Sequence, residues 1–375
     1  MNSNPNRLYI DAKAVEHNYQ QLKAKVGPKV KIVPVLKANA YGCGLKEIIS
    51  LFENLDYFAV GNIREAGELK TLSPKSDVLL IYQSLITDIE TIVINDYISA
   101  VSDYFFALAL NQSALKHHKK IRVHLEIDTG MSRFGIKFDE VESFATKIKR
   151  LDNIIVEGVF MHYAVANSLK ASDLAFTKRQ TALFKEAVKK VEAILGSVKY
   201  IHACSGAAVF NPETEIFNMI RPGYILYGYY GDSAFKTRVK LKPALKLVAK
   251  IISVTKYEKG VTIGYLRKFM TKRRSQIATI SIGYADGLPR GLSNVESNPQ
   301  TFVVINQQRV PIAGIICMDI TMLDVTGIKG EIKPGDDVYI FDNEKVTLEE
   351  HAAKLDTSGY EVITRISANV QKKLL

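Results

Sequence analysis

Residues 31–38 read KIVPVLKA, and the next six read NAYGCG (39–44). An apolar run bounded by turn residues fits a strand buried on both faces, as in parallel sheets covered by helices. Upstream, Arg7–Ile10 has strand character and Asp11 is placed to cap a helix. Val15, Tyr19, Leu22 and Val26 then recur at helical spacing until Gly27-Pro28. Downstream, comparable apolar runs fall at 57–61, 78–82, 98–102, 121–127, 156–162, 199–203 and 217–221. Helical stretches such as 63–72, 103–117, 138–150 and 173–194 lie between them. With 31–37 this makes eight strands alternating with helices within about 235 residues, the signature of a closed (β/α)8 barrel of the TIM type.

The pattern changes after residue 235. Strand-like runs at 244–256, 276–283, 301–305, 308–313, 320–325 and 336–341 follow one another with short turns, and helical period returns only at 347–355 and 360–374. The expected fold is therefore α/β: a barrel over 1–235 followed by a mainly β domain over 236–375.

Composition narrows the function. No apolar run approaches the ~18 residues of a membrane span, and Met1–Tyr9 (MNSNPNRLY) is polar, unlike a secretory leader. Cys43, Cys204 and Cys317 are far apart and form no CxxC, so neither a disulfide framework nor a zinc ribbon is expected. A cytoplasmic protein without a metal is the simplest reading. The net charge of +11 permits an anionic partner, but no nucleic-acid-binding motif accompanies it. Residues 236–274 hold 13 of the 50 Lys and Arg with a single acid, Glu258, so the excess is local. It reads either as a solvated strand face or as a positive field for small anions.

In a (β/α)8 barrel the chemistry gathers at the C-terminal ends of the strands. Lys37 leaves the first strand there, followed by Tyr41, Gly42 and Gly44. It is either a snorkelling strand-end lysine or an amine able to attack a carbonyl. Later strand ends lead into Asp128 and Arg133 in DTGMSRFG (128–135), His162 in MHYAVAN (161–167), Ser205 in HACSGAA (202–208) and Arg221 in MIRPGYILYG (219–228). Backbone N–H groups at Ser-Gly and Pro-Gly turns suit a phosphate, and the loops after strands seven and eight often hold one in this fold. A phosphate-bearing aldehyde held by a lysine would use the whole set, and pyridoxal 5'-phosphate fits that description.

The segments VLKANAYGCG (35–44), DTGMSRFG (128–135), MHYA (161–164), CSGAA (204–208), RPGYILYG (221–228), IGY (263–265), IGYADGLPR (282–290) and ICMD (316–319) occur in order. On these segments the chain resembles the alanine racemases, barrel-type (fold-type III) pyridoxal-phosphate enzymes. The resemblance implies an isomerase that interconverts L- and D-alanine by a two-base mechanism, in a homodimer with shared active sites. It implies that the D-alanine serves cell-wall peptidoglycan. Lys37 would hold the cofactor and act as one acid/base, and Tyr265 from the partner subunit as the other, with His162 tuning Tyr265. Arg133 and the Met318 backbone would meet the substrate carboxylate. Tyr41, Ser205, Tyr360 and the N–H groups of Gly223 and Tyr224 would hold the phosphate, and Arg221 would face the pyridine nitrogen. Tyr284 and Arg290 would line the substrate corridor.

Four positions depart from the family pattern. Cys204 replaces Asn, and Asn167 and Ile315 replace an Asp and an Arg, which implies a less ionic corridor. Glu126 replaces a lysine that many members carry as a carbamate, and it is expected to orient Arg133. The alternative activity is racemisation of serine or of a broader set of amino acids on the same fold. Tyr360 in GYEV matches the alanine pattern. Barrel-type decarboxylases would not need Tyr265 as an opposing base.

Overall fold

The structure is a computed structural model that describes residues 4–295 and 300–375, so Met1–Ser3 of the polar N-terminal stretch lie outside it. The chain forms two compact units. One comprises Glu16–Ala40 and Ile48–Lys242. The other comprises Tyr41–Glu47, Pro243–Leu375 and the N-terminal segment through Val15.

After β1 (Arg7–Ile10), the barrel unit contains β2 (Lys31–Ile32), β3 (Tyr57–Val60), β4 (Asp77–Leu80), β5 (Ile98–Val101), β6 (Ile121–Asp128), the two-residue β7 (Ile136–Lys137), β8 (Ile154–Phe160), β9 (Tyr200–His202) and β10 (Met219–Ile220). Strands β3-β4-β5-β6-β8-β9 are parallel neighbours in that order, and β10 pairs parallel with β2. Single bridges at Val35↔Ala59 and Ser205↔Arg221 join the two sheets, which closes the eight-stranded ring expected from the sequence. Val33, Val35, Tyr57, Ala59, Leu79, Ile98 and Met219 pack together inside it. Burying both faces of parallel strands requires helices outside, and the chain supplies them. The Asn62 side chain accepts the Glu65 N–H at 3.0 Å to start helix Ile63–Leu72. Asp103 accepts the Phe106 N–H at 2.8 Å to start Tyr104–Lys116.

The β unit is built on the long strand β11 (Leu245–Tyr257). It adds the hairpin β12 (Thr262–Ile263) and β13 (Phe269–Met270), then β14 (Ser275–Ile280), β15 (Phe302–Ile305), β16 (Gln308–Pro311), β17 (Thr321–Asp324), β18 (Asp337–Phe341) and β19 (Gln371–Leu374). The sheet order is β16-β15-β18-β11-β1-β19, with β14 between β11 and β17.

Two features differ from the sequence expectation. First, β1 belongs to this sheet and not to the barrel stretch 1–235: it pairs antiparallel with β11 and parallel with β19, which buries Leu8 and Ile10 completely. Second, 360–374 is not one helix. Helix Gly359–Thr364 stops, and Gln371–Leu374 extends to satisfy the backbone of β1, which would otherwise be an open edge.

Candidate active site

At the barrel mouth, Lys37 follows Leu36, whose N–H donates to Ala59 O at 2.8 Å. The next four residues, Ala38, Asn39, Ala40 and Tyr41, all have φ between 52° and 60°. A left-handed turn of non-glycine residues costs ~1–2 kcal/mol per residue, so it needs support. The Glu65 carboxylate accepts the Ala38 N–H at 2.8 Å and the Gly61 N–H at 2.9 Å. The Tyr227 hydroxyl donates to Ala40 O at 2.8 Å. Gly42 continues the left-handed path at φ +80°, where a Cβ would lie 2.4 Å from Ile363 O.

The Lys37 amine donates to the Tyr82 hydroxyl and lies 5.0 Å from the centre of that ring. The Arg133 guanidinium stands 5.2 Å from the same ring. The structure thus gathers two expected cations on a residue that sequence reasoning passed over. Tyr82 closes the apolar run 78–82, and that strand-end position is the sequence signal that marks it. His162 is pushed down to about 3 by burial and then by the charges of Arg221, Arg133 and Lys37. Its imidazole is therefore neutral and able to accept a hydrogen bond.

Arg221 is buried. It donates to His202 Nδ1, to Met161 O at 2.9 Å and to Ala203 O at 3.4 Å, none of them charged. Ser205 precedes the short 3-10 turn Gly206–Phe210, and Gly223 precedes Tyr224–Tyr227. The Cys204 thiol donates to Glu215 O at 3.2 Å and is raised to about 12 by burial, so it stays protonated. Asn167 is exposed.

The expected pairing of Glu126 with Arg133 is not made. Arg133 rests on Tyr82, and Glu126 Oε2 is buried with no hydrogen-bond partner. Burial raises this carboxyl to about 7 against the lowering charges of Arg133 and Arg221. The mouth therefore holds an amine and two guanidiniums, none of them in an ion pair among the described residues. Its donors fit a flat anionic group carrying a carbonyl and a phosphate.

Within the β unit, a cleft of about 740 Å³ brings together Tyr265, Tyr284, Arg290, Met318, Cys317 and Arg365. Tyr265 stands on the β12–β13 hairpin between Gly264 (φ +72°) and the left-handed Leu266 and Arg267. It is 63% exposed, beside Leu266 at 71% and Met270 at 53%. The Tyr284 and Ala285 N–H groups donate to Cys317 O and Met318 O, both at 3.0 Å, which ties the two loops of the cleft together. Ile315 is buried. The rings of Tyr41 and Tyr360 lie 6.1 Å apart.

Among the described residues no helix is long and apolar enough to cross a membrane. The family of alanine racemase N-terminal domains matches residues 10–231, and that of the C-terminal domains matches 244–374. Alanine racemase 1 of Caldanaerobacter subterraneus subsp. tengcongensis is 34% identical over 374 residues, covering 98% of this chain and 94% of its own. The alanine racemase structure from Clostridium difficile 630 superposes with a TM-score of 0.90 at 32% identity, covering 97% of this chain and 93% of that one. The alanine racemase from Bartonella henselae, solved with covalently bound pyridoxal phosphate, superposes with a TM-score of 0.86 at 27% identity, covering 99% of each chain. Alanine, and not serine or a wider set, is the amino acid in these names. With both domain families matched in order and its relatives aligned over nearly its full length, this chain belongs to the alanine racemase family.

Proposed function

We propose that the chain interconverts L- and D-alanine with pyridoxal 5'-phosphate, as a cytoplasmic homodimer that supplies D-alanine for cell-wall peptidoglycan. The observation that carries this reading is the barrel mouth. It presents a strand-end lysine and a buried arginine with no charged hydrogen-bond partner, facing the needs of an anionic aldehyde. Lys37 would hold the cofactor. Tyr41, Ser205, Tyr360 and the N–H groups of Gly223 and Tyr224 would bind its phosphate, and Arg221 would face its ring nitrogen. When bound, the cofactor supplies the electron sink that acidifies the alanine Cα–H.

Racemisation removes a proton from one face of Cα and returns one to the other, so two titratable groups must stand on opposite faces. Lys37 serves one face. Tyr265 of a second copy serves the other, and its exposure on the hairpin supports that role. His162, held neutral, accepts a hydrogen bond from that phenol. Arg133 binds the substrate carboxylate with the Met318 backbone of the second copy, and Tyr82 keeps the Lys37 and Arg133 side chains at one ring. Tyr284 and Arg290 line the approach.

The test is to load the protein with pyridoxal 5'-phosphate, incubate it with L-alanine and with L-serine, and follow chirality. Racemisation of alanine is expected, together with a visible absorbance band that Lys37→Ala abolishes. Absence of the band or of alanine racemisation overturns the reading.

A further inference from the structure

A hydrogen-bonded chain leads from Arg221 into the barrel interior, and its direction follows from the chemistry of its ends. A guanidinium only donates, so Arg221 donates to His202 Nδ1. A neutral imidazole that accepts on Nδ1 carries its proton on Nε2, and His202 Nε2 lies 2.7 Å from His124 Nδ1. His202 therefore donates to His124, which must carry its own proton on Nε2. That nitrogen lies 3.3 Å from the Tyr57 hydroxyl oxygen and 3.6 Å from Glu157 Oε2. The Tyr57 hydroxyl completes the line by donating to Glu157 Oε2 at 3.5 Å. Every donor points from the guanidinium toward the carboxylate.

All five residues are buried. Burial lowers both histidines and the Arg221 charge adds to it; at His124 the hydrogen bond and charge of Glu157 oppose the fall without reversing it, which agrees with two neutral rings. Gly158 leaves the space for His124: a Cβ there would come within 2.7–2.8 Å of three of its ring atoms. Glu157 is anchored in turn by Lys199 at 3.2 Å and Arg122 at 3.7 Å, and Arg122 is also gripped by both oxygens of Asp77 at 2.7 and 2.9 Å. Glu126 influences Arg221 only through space. Glu157 is thus the carboxylate linked to Arg221 by hydrogen bonds, although two imidazoles and a phenol intervene.

We propose that Tyr57 and Glu157 are positioning residues for Arg221: the one-way chain through His124 and His202 fixes both imidazole tautomers, aims the guanidinium and sustains its charge from inside the barrel. The inference rests on the functional reading above for what Arg221 faces, a ring nitrogen that a guanidinium can hydrogen-bond without surrendering a proton. The chain itself is independent of that reading.

The experiment is nitrogen-15 NMR of histidine-labelled full-length protein loaded with pyridoxal 5'-phosphate, with absorbance of the bound cofactor as a second readout. Wild-type His124 and His202 should each show an unprotonated Nδ1 and a protonated Nε2, unchanged across the neutral pH range. Glu157→Gln and the ring-preserving Tyr57→Phe should shift the signals of His124 and then of His202, and move the cofactor band. They should lower kcat about tenfold, in the range typical of outer partners of a site, while KM changes little. A proton on Nδ1 of either ring overturns the proposal, as does a pair of variants that leaves the His202 signals and the band at wild-type positions. If one variant fails to fold, the other decides. If the protein takes up no cofactor, the functional reading falls, and the histidine signals of the unloaded full-length chain still decide the proposal.

Discussion

The Glu126 carboxyl has one oxygen, Oε2, buried without a hydrogen-bond partner, and its burial has a measurable consequence. Its ordinary value of 4.5 rises to about 7 in the fold, with burial as the main cause. The folded protein therefore binds a proton between these two pH values that the unfolded chain does not, so this residue's contribution to stability falls as pH rises through that window. Glu126→Gln removes the titration. Denaturant unfolding should show the variant gaining on wild type from pH 5 to pH 8, by up to ~3 kcal/mol at about 1.4 kcal/mol per pH unit; parallel stability–pH curves would refute this. Unaltered alanine KM and kcat in the same variant would show that the carboxyl does not act on Arg133 at all. The residue scale is also where sequence reading reached furthest. Lys37, Arg133, His162 and Arg221 were recognisable because a barrel gathers its strand ends, so a polar residue closing an apolar run already has an address. Tyr82 has the same address but, as an aromatic residue, blends into the apolar run. The contact of Arg133 with it in place of Glu126 depends on side-chain directions that spacing does not encode.

At the scale of elements, the left-handed turn from Ala38 to Tyr41 is held in an unfavourable backbone region directly after Lys37. Glu65 uses both carboxylate oxygens to hold it, one on Ala38 and one on Gly61. Glu65→Gln leaves one oxygen and presents an amide donor where a backbone N–H already points. A loss of about 1–3 kcal/mol is expected, the cost of an unsatisfied buried group, read by thermal or chemical unfolding. Turnover should fall more than KM rises, because Lys37 loses its fixed position. An unfolding curve superimposable on that of wild type would show that the turn holds itself. Nothing in Ala-Asn-Ala-Tyr announces a left-handed turn, since apart from Asn these residues avoid that region. The turn is imposed by partners distant in sequence, Glu65 and Tyr227. The same holds for the helical period over 360–374: QKKL has no decisive period of its own, and its extended form is set by pairing with β1. The eight barrel strands, by contrast, announce themselves locally, each as a buried run between turn residues.

At the scale of the whole molecule, the exposed Tyr265, Leu266 and Met270 on the β12–β13 hairpin belong to the surface we assign to a second copy. Leu266→Asp should leave unfolding of the subunit unchanged, because the side chain is 71% exposed. It should shift sedimentation toward the monomer and make specific activity fall on dilution. A variant that sediments and turns over like wild type would argue against a dimer through this hairpin. The placement of β1 has a different kind of consequence. Residues 7–10 have as their sheet neighbours residues of 245–257 and 371–374, more than 230 positions further along the chain. The barrel strands, confined to residues 31–220, can close before the later residues are made, whereas β1 must wait unpaired until 245–257 follow. Loop closure over such a separation is slow, so the sheet of the unit that bears Tyr265 is completed last. The parallel half of the β1 pairing can form only once β19 has been made. A nascent chain stalled before β19 would carry its barrel strands without the β1–β19 pairing that completes the sheet.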